Sequence, residues 1–171
     1  MKKFANVFLA LLVAFLVNVN KAGAQEVKNG LTWYNDVEKV YELSKKTQKP
    51  VFAFFTGSDW CGWCHRLEAN VFHKPGFKEW AKSNVILLEL DFPRNKKLPE
   101  KITQQNAGLQ QFFQVQGYPT IWIFDLEKDK STQKFSINAR GQLGYPNAPR
   151  GQEEAVFLQN ANSVLKNQAK N

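Results

Sequence analysis

Val51-Phe52-Ala53-Phe54-Phe55 is an unbroken apolar run, and six residues past its end begins the sequence Cys61-Gly62-Trp63-Cys64. Apolar residues without alternation suit a strand buried on both faces, as in a parallel sheet. Thr56-Gly57-Ser58-Asp59 is turn chemistry, and helical spacing follows, so the cysteines sit where a buried strand turns into a helix. The chain has no other cysteine. A domain that relies on a disulfide for stability separates its cysteines and closes a long loop. A pair three positions apart closes almost nothing, so its value lies in the chemistry of the sulfurs.

The first residues read as an address. Lys2 and Lys3 precede an apolar run from Val7 to Val17, and Ala22-Gly23-Ala24 offers a small-residue cleavage site. That is the order of a secretory signal peptide, and the run is too short for the roughly 20 residues that span a bilayer. Residues 1–24 are therefore expected to be removed on export, leaving 25–171 as one domain. An uncleaved N-terminal anchor is the alternative. Beyond residue 24 there are 20 Lys and Arg against 15 Asp and Glu, a charge of +5. This surplus is spread along the chain, not clustered as nucleic-acid binding requires.

Leu31 to Tyr34 reads as a short lead-in strand. Asn35 is placed to cap a helix, with Glu38 as its capping-box partner, and Pro50 ends that helix. After the cysteines a helical pattern runs through Leu67, Val71 and Phe72, breaks near Pro75-Gly76 and resumes through Phe77, Trp80 and Ala81. Val85 to Leu90 is a second apolar strand, and residues 94–104 read as a polar, lysine-rich loop. A helix is expected over Ala107 to Val115, strands over Ile121 to Phe124 and Gln133 to Ile137, and a closing amphipathic helix over Gly151 to Lys166. The order β-α-β-α-β-α-β-β-α predicts an α/β fold, a central mixed β-sheet flanked by helices.

The strand-to-helix position gives the two sulfurs different tasks. Cys61 lies at the helix start, where backbone N–H groups favour an anion, and is expected to be the exposed nucleophile. Cys64 lies one turn further in and is expected to be the shielded resolving thiol. Lowering a thiol pKa from about 8.5 to about 7 raises its thiolate fraction at neutral pH roughly 16-fold. Nucleophilicity falls about fivefold at the same time, so the net gain in attack is only about threefold. The larger effect is on redox balance, roughly 45 mV towards a more oxidising couple.

At this point the chain resembles the thioredoxin superfamily over roughly residues 31 to 166. The likeness rests on the apolar strand leading into Trp60-Cys61-Gly62-Trp63-Cys64 and on Gly117-Tyr118-Pro119-Thr120 before the strand Ile121 to Phe124. It implies a thioredoxin fold, a cis proline at Pro119 beside the cysteine pair, and an extended client pairing with the backbone there. With the signal peptide, the GSDWCGWC lead looks most like small periplasmic thiol:disulfide interchange proteins. Trp60, Gly62, Trp63, Tyr118 and Pro119 are then the expected client-contacting residues, with Trp60 and Trp63 both exposed as an apolar rim. Trp33, Trp80 and Trp122 are expected in the core. The superfamily commonly carries a buried Asp before the motif and a Lys on the neighbouring strand, which move protons for the inner cysteine. Here those strands offer only apolar residues up to Phe55 and from Val85 to Leu88. Proton transfer to Cys64 is left to water, His65 or Glu68, with Glu89 a weaker candidate that faces solvent on the simplest reading.

Two other chemistries share these residues. Cys61 to His65 spells CxxCH, a c-type haem attachment pattern, but the one methionine is Met1 and His73 is the sole other ordinary axial candidate. A zinc site of Cys61, Cys64, His65 and His73 has suitable ligand types, yet adjacent ligands at 64 and 65 splay apart on a helix. The expected function is an exported thiol–disulfide oxidoreductase that reduces or isomerises disulfides of exported proteins, a monomer with no cofactor beyond its redox-active disulfide. A membrane thiol:disulfide electron donor is the expected partner. The rival is a binding or chaperone module whose cysteines merely tether clients.

Overall fold

The computed structural model describes residues 25–167, so the expected signal segment lies outside the described residues. Six strands form one sheet in the order β1-β2-β4-β3-β5-β6. β3 (Val51–Thr56) is central and buried along its whole length. It pairs parallel with β4 (Ile86–Asp91) and antiparallel with β5 (Thr120–Lys128). β2 (Leu31–Tyr34) runs parallel to β4, and β6 (Phe135–Leu143) closes the far edge antiparallel to β5. Beyond β2 lies β1 (Gln25–Lys28), an antiparallel strand the sequence pattern did not announce because its residues are polar apart from Val27 and mostly exposed.

The alternation of β3 divides its side chains between two cores. Phe52 and Phe54 join Trp33, Phe72, Phe77, Phe157 and both cysteines on one face. Val51, Ala53 and Phe55 join Val40, Leu88, Leu109, Phe113 and Phe124 on the other. Both faces are closed by helices, which is why β3 reads as a continuous apolar run. The helices over the first face are α2 (Gly62–Leu67), α3 (Pro75–Asn84) and α5 (Glu153–Lys166). Over the second lie α1 (Val37–Thr47) and α4 (Glu100–Phe112). Phe52 alone meets five rings, those of Trp33, Phe72, Phe77, Trp80 and Phe157, with centroids 5.8 to 6.3 Å away.

Several expected boundaries shift. The cap of α1 is Asp36, whose carboxylate accepts from the Glu38 N–H at 2.9 Å, and not Asn35. α4 begins at Glu100, so the lysine-rich loop is shorter and the helix starts almost two turns before Ala107. Ile102, Asn106 and Leu109 are its buried stripe, and a polar Asn in the middle hides the period. α2 is only six residues long and passes into one π turn, Glu68–Phe72. The last two strands run to nine residues each. Trp33 and Trp80 are core, as expected, but Trp122 is only half-buried, lying against the ring of Phe113 at 4.8 Å.

Candidate active site

The turn that delivers the cysteines is fixed from both ends. Asp91, the last residue of β4, accepts from the Ser58 N–H at 2.8 Å and the Ser58 hydroxyl at 2.7 Å. Lys96 balances its charge at 2.8 Å. Cys61 N–H donates to the Gly57 carbonyl at 2.8 Å, and a Cβ at Gly57 would collide with the Trp60 indole. Glycine is required there by that close approach.

Cys61 then caps α2, and Cys61 and Cys64 are joined by a disulfide. The Cys64 backbone N–H donates to the Cys61 sulfur at 3.2 Å. That one donor stabilises negative charge on Cys61 more directly than a dipole from a six-residue helix. Cys64 is fully buried. Cys61 was expected to be exposed, but in the disulfide state only 5 % of it is open, because it joins the core cluster of that face; the residual access still falls on the outer sulfur's residue.

The flanking aromatics differ from the expected pair of exposed rings. Trp60 is half-buried: its indole N–H donates to the Phe92 carbonyl at 2.8 Å, and its ring meets Tyr118 edge-on at 5.7 Å. Trp63 is 54 % exposed and meets Tyr145 at 5.1 Å. Gly62 is exposed between them. Tyr118 accepts from the Gln110 amide at 2.8 Å, and burial pushes its hydroxyl pKa up. The Tyr118–Pro119 peptide is cis. Tyr118 thus links the Pro119 loop to the residue preceding Cys61.

His65 is exposed, its Nε2 lying 3.0 Å from the Ser58 carbonyl. Glu68 borders a cavity of about 350 Å³ together with Lys28, Phe54, His73 and Glu89. Burial, and then the Glu89 carboxylate, push the Glu68 carboxyl above its ordinary range, while Lys28 and His65 pull the other way. Glu89 does not face open solvent. It pairs with Phe54 across the ladder, so it points to the same face of the sheet as the cysteines, and its side chain is only 13 % exposed. Both its oxygens accept from Lys28 Nζ, at 2.9 and 2.7 Å. Burial opposes the Lys28 charge, but Glu89 and Glu26 together outweigh it and leave that pKa raised. Burial, then Lys78 and Lys74, lower the pKa of His73. Lys28 went unmarked in sequence because its partner is 61 residues away. Among the described residues no group of three His, Cys, Asp or Glu is placed to hold a metal ion. Tyr145, Asn70 and the arginines near the tryptophans also carried no signal, since nothing local in sequence points to them.

A mixed sheet with a disulfide-linked CxxC at the start of the helix after its central strand defines a thioredoxin-fold dithiol protein. Residues 32–125 match the thioredoxin-like family, and the chain belongs to that family. It is 36% identical over 115 residues to a protein of Chlamydia pneumoniae named disulfide bond reductase DsbH, covering 67% of this chain and 68% of that one. It is 33% identical over 92 residues to the thiol:disulfide interchange protein DsbD of Vibrio vulnificus, covering 54% of this chain but only 14% of DsbD. A solved structure titled DsbH oxidoreductase superposes with a TM-score of 0.63 at 28% identity, covering 77% of this chain and 82% of that one.

Proposed function

We propose that this protein is an exported thiol–disulfide oxidoreductase working as a reductase. The observation that carries the reading is the Cys61–Cys64 disulfide with the Cys64 N–H directed at the Cys61 sulfur. In the reduced protein the Cys61 thiolate attacks one sulfur of a client disulfide. A mixed disulfide forms, and the client's other sulfur leaves as a thiolate and takes a proton. Cys64 then loses its proton and attacks the Cys61 sulfur, releasing the second client thiolate and closing the Cys61–Cys64 bond. Two electrons pass to the client, and a dithiol donor must return two to the protein.

Trp60, Gly62, Trp63, Tyr118 and Pro119 form the client-contacting rim in this reading, and the backbone beside Pro119 receives an extended segment. Glu68 lies one turn beyond Cys64, with its N–H donating to the Cys64 carbonyl. Burial keeps its carboxyl protonated to higher pH than usual, which suits it to exchange a proton with the inner thiol. His65, held at the Ser58 carbonyl, is the second candidate. Residues 1–24 act as the export signal and a membrane thiol:disulfide partner supplies the electrons; similarity to a stretch of a thiol:disulfide interchange protein supports exchange with another dithiol protein.

A tryptophan, not a histidine, stands between Gly62 and Cys64. The tryptophan itself carries no charge to stabilise the thiolate further, so the couple is expected nearer about −270 mV than about −120 mV. The test combines the Cys61–Cys64 potential with trapping by a Cys64→Ser variant, which should accumulate client mixed disulfides through Cys61. A potential above about −150 mV would make the protein an oxidase or isomerase. A folded variant that traps nothing would leave only the binding-module reading.

A further inference from the structure

Two arginines sit on the two tryptophans of the motif. The Arg94 guanidinium lies 3.9 Å from the ring centroid of Trp60, and that of Arg66 lies 4.7 Å from Trp63. Each stack is built from below. Asp59 accepts the backbone N–H groups of Arg94 at 3.0 Å and Asn95 at 2.6 Å, which fastens the loop carrying Arg94 beside Trp60. Trp63 is backed by Tyr145, whose hydroxyl accepts from the Asn70 amide at 2.8 Å. Both arginines are exposed, and neither forms an ion pair among the described residues.

We propose that Arg66 and Arg94 select client segments in which carboxylates flank the reacting cysteine. Cation–π stacking occupies one face of a guanidinium and leaves its edge N–H donors free. Those donors match a carboxylate in paired geometry, and the stack has already restricted the long side chain that binding would otherwise have to order. The nearby carboxylates are committed: Asp59 to two backbone N–H groups, Asp91 to Ser58 and Lys96. Asp59 keeps its negative charge, and Lys96 offsets that of Asp91, so Arg66 and Arg94 still leave a net positive surround for an incoming acidic residue near Cys61. The arginines stack on Trp60 and Trp63, the residues just before each cysteine of the motif, so client residues close in sequence to the reacting cysteine are the ones read.

The inference deepens the reductase reading, and its test needs only one chemical step. Two peptides carry the same cysteine as a mixed disulfide with thionitrobenzoate, one flanked by Glu and one by Lys. Attack by Cys61 on the peptide sulfur breaks that bond and releases the coloured thionitrobenzoate anion. At about 0.01 M salt the Glu peptide should react roughly tenfold faster, and the ratio should approach one near 1 M salt, where screening is short-ranged. Arg66→Gln and Arg94→Gln should each lower the ratio, and the pair Arg66→Glu/Arg94→Glu should invert it. Any general change in thiolate reactivity cancels in the ratio. Lys45→Glu/Lys46→Glu, on α1 over the other face of the sheet, makes the same change in net charge and should leave the ratio in place. Equal rates for both peptides, or an equal response to the α1 pair, would overturn the proposal. Separately, a selective protein that fails to turn over insulin would keep this inference and lose the reductase reading.

Discussion

Glu68 shows how one side chain near the sulfurs couples burial to pH. Its carboxyl faces Glu89 and Asp91, which oppose its charge, and Lys28 and His65, which favour it; burial is the largest effect and the pKa is raised. A group with a raised folded-state pKa gives stability that is complete below its unfolded value, about 4.3 for Glu. That stability is lost as pH rises through the folded value. Glu68→Gln, which cannot ionise, should therefore gain on the parent protein between about pH 4 and pH 7. Urea midpoints measured at both ends decide it: a difference that does not grow with pH refutes the account. At this scale the cysteines were legible because their spacing and position carry the chemistry. The cap at Asp36 was missed by one residue, since Asn35 and Asp36 are both good caps and only backbone geometry chooses between them. The half-burial of Trp60 was hidden as well, because it depends on Phe92 and Tyr118, 32 and 58 positions along the chain.

Elements were readable where one type of residue fills the buried face and obscure where a polar residue takes a core position. β3 is the first kind. α4 is the second: Asn106 is 1 % exposed because its amide donates to the Asp91 carbonyl at 2.9 Å, and Gln105 donates to its own oxygen at 3.1 Å. A buried amide with both ends engaged is stable, but in sequence it looks like one more polar residue in a lysine-rich stretch. The bond ties α4 to the end of β4, whose carboxylate holds the turn before Cys61. Asn106→Ala should cost about 1–3 kcal/mol by leaving the carbonyl without that donor. It should lower the urea midpoint with an unchanged slope. A loss under about 0.3 kcal/mol, within the error of such measurements, would mean the amide adds nothing. The π turn after α2 had no signature either, since Leu67, Val71 and Phe72 fit an ordinary helical stripe.

For the molecule as a whole, the sheet separates two cores that have different consequences. The first contains both cysteines and the ring cluster around Phe52 and Phe72; the second contains Phe55, Phe113 and Phe124 and no sulfur. Phe72 and Phe124 are both almost wholly enclosed, so trimming either to Leu should cost a similar amount, about 1–2 kcal/mol. Only one change touches the packing beneath the active-site helix. Phe72 follows directly on α2 through the π turn, stacks on Phe77 at 4.6 Å and meets Phe54 at 5.1 Å. Phe72→Leu lets that segment relax and disturbs the Cys64 N–H aimed at the Cys61 sulfur, a contact sensitive to shifts of a few tenths of an ångström. Phe124→Leu leaves it in place because the sheet lies between. The reduced Phe72→Leu protein should thus show a raised Cys61 thiol pKa in pH-dependent alkylation, while Phe124→Leu keeps the parent value despite equal loss of stability. Matching pKa values in the two variants would show that the two faces are mechanically joined and that global stability, not local packing, sets the reactivity of Cys61.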